Sequence, residues 1–198
     1  MDKSSRVNVL TMNLVKNYEL DNLAEIQSEL LDYLNNNTKN IYINSQLRFS
    51  YVRVPSDHIL NLPCLNETLR KIFAVQPSYF KFYNMQPGSH LKPHMDGIFN
   101  DPIGNFGFNI PVYNCESVET IFYNCDETNI KSLNLQSARL RLPINESKLT
   151  EIKRYIINRP SFISTNIMHS VENNTANNRI MFLMRWTGVK SYKEVLKL

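Results

Sequence analysis

The stretch YFKFYNMQPGSHLKPHMDG, Tyr79 to Gly97, divides the chain into two characters. Its first seven residues are rich in Tyr and Phe, side chains that suit a pleated and half-buried surface, so they read as a strand. After it the same texture recurs in short segments separated by Asn, Pro, Gly and Asp. They are FGFNIPVYN (106–114), VETIFYN (118–124), ARLRLPI (138–144), KRYIINR (153–159), SFIST (161–165) and RIMFLMRW (179–186). Many short strands at this spacing predict a mostly-β barrel or a two-sheet jelly roll.

Before this stretch the periodicity is helical. ELDNLAEIQSELLDYLNNN (19–37) sets apolar residues at Leu23, Ile26, Leu30, Leu31 and Tyr33 or Leu34, and it ends in an Asn cluster. NLPCLNETLRKIFAV (61–75) predicts a second helix, with Asn66 or Thr68 near its start and Leu69, Ile72 and Phe73 facing inward. Both helices read as packing elements outside the β structure. The expected organisation is a single domain: a helical part over 1–75, a β core over 76–188, and a tail or short helix over 189–198.

Composition narrows the function classes. With 42% apolar and 20% charged residues over 198 positions, the chain can bury a core and is not a disordered segment. Five glycines form neither a phosphate-cradling loop nor a dinucleotide signature. The net charge of +4 is spread over dispersed Lys and Arg residues, so no nucleic-acid partner is expected. No apolar run approaches a membrane span, and MDKSSRVNVL lacks the apolar core of a signal peptide. Three cysteines (Cys64, Cys115, Cys125) without paired spacing then read as reduced thiols, which predicts a cytoplasmic protein.

The end of the opening stretch carries the chemistry. In a strand, His94 and Asp96 would face the same way, and an imidazole with a carboxylate can begin a first-row metal site. Two histidines and one carboxylate on one face of an iron leave positions open for substrate and O2. The third ligand has to be His58, His90 or His169. His58 precedes a helix and reads as a surface residue. His90 shares the loop with His94, but Lys92-Pro93 bends the chain between them, which makes it a supporting residue. His169 follows an apolar strand and is preferred. The turn-forming ENNTANN after it predicts a hairpin between HSV (169–171) and RIMFL (179–183). That pairing would bring Arg179 within roughly 10 Å of His169, at ~3.3 Å per residue. A guanidinium there could hold the far carboxylate of a 2-oxo acid. Arg185, on the same strand face, is the competing candidate.

These residues together resemble the iron(II)- and 2-oxoglutarate-dependent oxygenases of the double-stranded β-helix (jelly-roll, cupin-like) fold. Pro87, Gly88, Ser89, His90, Leu91, Pro93 and His94 match the string of the aspartyl/asparaginyl β-hydroxylase-like branch. NIPV (109–112) resembles that branch's next strand, and FISTNIMHSVENNTANNRIMFLMRW (162–186) resembles its closing hairpin. The resemblance spans 78–188. It implies Fe(II) on His94, Asp96 and His169, with 2-oxoglutarate and O2 as co-substrates. It further implies Arg179 on the distal carboxylate, Tyr83 as a hydroxyl donor to the same group, and Asn109 as a hydrogen-bond donor to the other carboxylate. Some branch members have Gly in place of the carboxylate ligand, whereas Asp96 completes the triad. The branch's Arg and His for the other carboxylate are replaced here by Asn109 and Pro111, and IFNDPIGNFG (98–107) is an insertion expected to frame the substrate mouth. The implied reaction is hydroxylation of an amino-acid side chain (Asp, Asn or Pro), free or in a peptide, and Arg139, Arg141 and Arg185 are candidate substrate anchors. The alternative is a non-catalytic, cupin-like metal- or ligand-binding module, which has no need of a cation at oxo-acid distance.

Overall fold

Residues 14–37, 41–44, 48–96, 106–124, 149–189 and 191–197 are described by a computed structural model. Two antiparallel sheets face each other. The larger contains β1 (Val15–Asn17), β2 (Ile41–Asn44), β3 (Phe49–Val54), β4 (Tyr79–Met85), β6 (Phe106–Tyr113), β9 (Ser161–Ser164) and β11 (Arg179–Arg185), in the order β1-β9-β6-β11-β4-β3-β2. The smaller contains β5 (Ser89–His94), β7 (Glu119–Asn124), β8 (Thr150–Ile156) and β10 (His169–Asn173), in the order β5-β10-β7-β8. Consecutive strands from β4 to β7 cross back and forth between the sheets, as a jelly roll requires. The predicted strand ARLRLPI lies outside the described residues.

Helices α1 (Leu23–Asn36) and α2 (Pro63–Ile72) cover the outer face of the larger sheet. Ile26, Leu30, Leu65 and Leu69 pack there against Phe82, Phe108, Phe162, Phe182 and Trp186. A short helix, α3 (Tyr192–Val195), follows β11, with Val195 in the same core. α2 starts at Pro63, earlier than Asn66 or Thr68. The carboxylate of Glu29 on α1 accepts from the Cys64 and Leu65 backbone N–H groups at 3.1 and 2.9 Å. Those N–H groups have no partner within their own helix, so a neighbouring helix supplies the cap and Pro fits the first position. Thr68 is buried instead and exchanges hydrogen bonds with the Asn22 side chain.

The N-terminal part is not wholly helical. β1, β2 and β3 come from it and extend the larger sheet at both edges. FSYVRV (49–54) alternates inward and outward residues against β4, with Tyr51 opposite Tyr83 and Arg53 opposite Lys81. The β4–β5 turn explains the Pro-Gly pair. Ser89 N–H bonds to Gln86 O at 3.1 Å, and Gly88 takes φ 66°, a conformation in which a side chain would be strained. That turn carries the chain from one sheet to the other. It thereby brings β5, with His94, over the inner face of β4.

Candidate metal centre

His94 reaches the interior through a bulge. His169 pairs with His94 and Val171 with Leu91, so three steps of β5 lie against two of β10, and Lys92-Pro93 holds the extra residue. The bulge reverses the face presented by the residues after it. His90 therefore points outward, with Nε2 3.7 Å from Glu172 Oε1, while His94 turns in. The two interior imidazoles sit with ring centroids 4.4 Å apart. Each is held alike: Nδ1–H of His94 donates to Lys92 O and Nδ1–H of His169 to Ile167 O, both at 2.8 Å. Committing Nδ1 to a carbonyl fixes the tautomer and leaves Nε2 to bind a metal. Burial and the neighbouring His94 lower the His169 pKa to about 4, against the opposing pull of Asp96, so this ring is neutral at physiological pH.

Asp96 arrives by a different route from the one expected. β5 ends at His94, so strand alternation does not orient Asp96. Its backbone N–H instead donates to Thr165 O at 2.9 Å, beyond the end of β9, and this docks the residue across the two sheets. Oδ1 lies 3.5 Å from His94 Nε2, and Oδ2 accepts from Arg185 Nη2 at 2.9 Å. Desolvation pushes this carboxyl's pKa up. The close contact with His94 and the charge of Arg185 outweigh it and hold the group well below the usual carboxylate range. The candidate ligand atoms of His94, Asp96 and His169 all lie within 4.8 Å of one another.

Arg179 opens β11 opposite Met85 and is 5% exposed. Nη1 lies 3.7 Å from the Met85 sulfur, and among the described residues Nε has no hydrogen-bond partner. Among the described residues no carboxylate pairs with it. Burial lowers its pKa, and the Cys115 thiol beside it counteracts only in part. Tyr83 and Asn109 line the same pocket as Arg179 and the three candidate ligands. His58 does not. It lies in a 3-10 turn (Ser56–Asn61), where Nδ1 is 2.7 Å from the Tyr33 hydroxyl of α1.

No family model matches the chain, nor does any curated protein. Among solved structures, the epimerase SnoN in complex with Fe3+, alpha ketoglutarate and nogalamycin RO aligns at TM-score 0.55 and 12% identity. The alignment covers 85% of this chain and 75% of that one. SnoK, a non-heme alpha ketoglutarate dependent carbocyclase from nogalamycin biosynthesis, aligns at TM-score 0.52 and 10% identity, over 86% and 76%. At such identities the likeness speaks to architecture. The chain has the double-stranded β-helix fold.

In a double-stranded β-helix the last two strands belong to opposite sheets, and this overturns the expected hairpin between HSV and RIMFL. β10 pairs with β5 and β7, while β11 pairs with β4 and β6. The intervening Asn-rich segment is an arch and not a tight turn. The Asn173 side chain donates to Met85 O, Gln86 O and Asn177 O, and Thr175 Oγ1 donates to Asn173 Oδ1 at 2.7 Å. Arg179 therefore shares the pocket with His169 by facing it across the two sheets. Arg185 lines the pocket too, bonded to Asp96 and, through Nη1, to Asn109 Oδ1 at 3.3 Å. Its partnership with Asp96 was not foreseen. Neither was Lys81, a third cation on the pocket wall. Their even spacing along β11 and β4 from Arg179 and Tyr83 was the available signal. Arg139, Arg141 and most of the 98–107 insertion lie outside the described residues.

Proposed function

We propose that this chain is an iron(II)- and 2-oxoglutarate-dependent oxygenase. The observation that carries the reading is Arg179, a buried guanidinium with no carboxylate partner among the described residues, in one pocket with a His-Asp-His cluster. Burying a cation without a carboxylate beside it is costly, which supports a site built for an anion brought from outside. A cupin-like module that bound only a metal would gain nothing from it. That the architecture is shared with SnoN and SnoK, one solved with Fe3+ and alpha ketoglutarate and the other alpha ketoglutarate dependent, supports the same reading.

The residues fit the cofactor. Two imidazoles whose Nδ1 atoms are committed to backbone carbonyls, leaving Nε2 turned to the cluster, and the Asp96 carboxylate form the donor set of a non-haem iron site that keeps open positions. His94, Asp96 and His169 would hold iron(II). Arg179 would bind the distal carboxylate of 2-oxoglutarate through its fork of donors, with Tyr83 donating beside it. Asn109 would help at the other carboxylate. When bound, iron with 2-oxoglutarate and O2 supplies oxidative decarboxylation to succinate and CO2, coupled to oxidation of a substrate C–H bond. The chain's own part is to seat the oxo acid in one orientation and to surround it with apolar walls such as Met181, Leu183 and Val171.

For the primary substrate the reading is an amino-acid side chain (Asp, Asn or Pro), free or within a peptide. It rests on the Pro-Gly-Ser-His string of the aspartyl/asparaginyl β-hydroxylase-like branch. The whole chain acts as one domain in this reading. The free thiols Cys64 and Cys115 suit a reducing, cytoplasmic setting. Among the described residues no helix is long and apolar enough to cross a membrane. The test is anaerobic: iron(II) and 2-oxoglutarate together should produce the weak visible charge-transfer band of a chelated oxo acid, and Asp96→Ala should abolish it. If the wild-type protein gives no band and neither compound raises its melting temperature, the reading fails.

A further inference from the structure

We propose that Arg185 is a positioning residue that keeps Asp96 a one-oxygen ligand, and that Gly107 is the gap in β6 that lets it do so. The inference rests on the oxygenase reading and goes beyond it. The two Asp96 oxygens have separate fates. Oδ1 faces His94 Nε2 at 3.5 Å, on the metal side, while Oδ2 is held by Arg185 Nη2 at 2.9 Å. A carboxylate free at both oxygens can chelate a cation with both and consume one more coordination position. The oxo acid needs two positions and O2 a third, so a two-oxygen Asp96 would compete with the co-substrates. A guanidinium bonded to Oδ2 removes that option. It also sets a positive charge against a carboxylate that is only partly open to solvent.

The surroundings of Arg185 are shaped for this aim. The side chain is 6% exposed, and Nη1 is fixed by Asn109 Oδ1 at 3.3 Å and by Met184 O at 3.1 Å. It lies flat over β6 at Gly107. A Cβ built there would stand 1.6 Å from Nη1 and 2.2 Å from Cζ, so any other residue would evict the guanidinium. Nothing else about Gly107 requires glycine, since its φ is ordinary for any residue. A strand interior favours a larger residue, so glycine here marks a close approach. Asp96, in turn, lies past the end of β5, where Arg185 holds its Oδ2 while its N–H bonds to Thr165 O and its Oδ1 faces His94.

The test uses the full-length protein loaded with Co(II), whose visible spectrum reports ligand number, and 2-oxoglutarate titrated onto it. The variants are Arg185→Gln, Arg185→Lys and Gly107→Ala. Arg185→Gln and Gly107→Ala are expected to retain Co(II) but to share one altered spectrum. Each should bind 2-oxoglutarate at least ~10-fold more weakly, the scale seen when a partner of a metal ligand is removed. Arg185→Lys, which keeps a donor cation, should recover part of both properties. If Gly107→Ala does not fold, the contrast between Gln and Lys at 185 decides alone. Variants with wild-type spectrum and wild-type 2-oxoglutarate affinity overturn the inference while leaving the oxygenase reading intact. Weaker 2-oxoglutarate binding with an unchanged Co(II) spectrum also overturns it, because Arg185 would then act without Asp96. If Co(II)-loaded wild-type protein binds no 2-oxoglutarate, the parent reading falls and this one with it.

Discussion

From Arg179 to Trp186, alternate residues of one strand go to opposite worlds. Ile180, Phe182, Met184 and Trp186 face the helices and join an aromatic core with Phe73, Phe82 and Phe108. Arg179, Met181, Leu183 and Arg185 face the smaller sheet and line the pocket. The outer face is a close-packed set of rings with no charge, where each side chain's contribution comes from area removed from water. The inner face buries two guanidinium groups at a cost in desolvation, beside the partly exposed carboxylate of Asp96. Aromatic packing thus lies on one side of the sheet and the polar, charged pocket lining on the other, separated by a single backbone layer.

Substitutions can break this division, beginning with the largest effect. Phe182 is fully buried between Phe80 and Phe82, so Phe182→Ala should cost about 3–5 kcal/mol in urea unfolding. The protein that remains folded should still bind metal. Arg179→Met on the inner face should do the reverse. Replacing a buried cation that has no carboxylate partner among the described residues by an apolar side chain should raise the unfolding free energy of the metal-free protein by about 1–3 kcal/mol. A loss of stability of that size would mean that Arg179 is a structural residue, and the two-face description would fail.

Acidity sharpens the contrast further. In the folded chain His169 stays neutral down to about 4, mainly through burial, whereas an unfolded histidine takes up its proton near 6.5. Between those values the unfolded state holds more protons, so the stability of metal-free protein should fall as pH drops from 6.5 toward 4. Asp96, whose pKa is depressed by its partners, adds a further loss as pH falls below its ordinary 3.8. His169→Gln should flatten the upper part of this profile in melting scans, and an unchanged slope would assign it to other groups. The smallest effect is expected on solvent-facing pairs. Lys71 and Glu67 on α2 meet at 2.7 Å with 71% and 67% of their side chains exposed, and Glu67→Gln should leave the melting temperature unchanged.

Features of this molecule were legible in sequence according to the kind of information each one needs. His94, Asp96, His169 and Arg179 could be singled out as candidates because few residue types can bind a metal or hold a carboxylate, and the structure sets all four on one pocket. The strands after Tyr79 were legible because aromatic and β-branched residues cluster between turn formers. Sheet partners were not. HSV and RIMFL look like a hairpin locally, yet the Asn173 bonds to the β4–β5 turn convert the connection into an arch. Arg179 still reaches the pocket, because the two sheets face the same interior. The role of Arg185 depends on Gly107 in one strand and on a residue past the end of another, a juxtaposition that only the tertiary structure supplies. β2 and β3 were overlooked because Asn, Ser and Arg interrupt their apolar residues, and only pairing with β4 makes their alternation visible.

The central claim is that the inner face is a seat for an oxo acid built from metal and Arg179 together. Calorimetric titration of 2-oxoglutarate into Mn(II)-loaded and metal-free protein, with wild type and Arg179→Met in parallel, tests it most directly. The account expects binding to wild type that depends on the metal, and a loss of at least ~100-fold in Arg179→Met, the scale of removing one partner of a buried charge pair. Equal affinity in the two proteins, or binding indifferent to Mn(II), would contradict it.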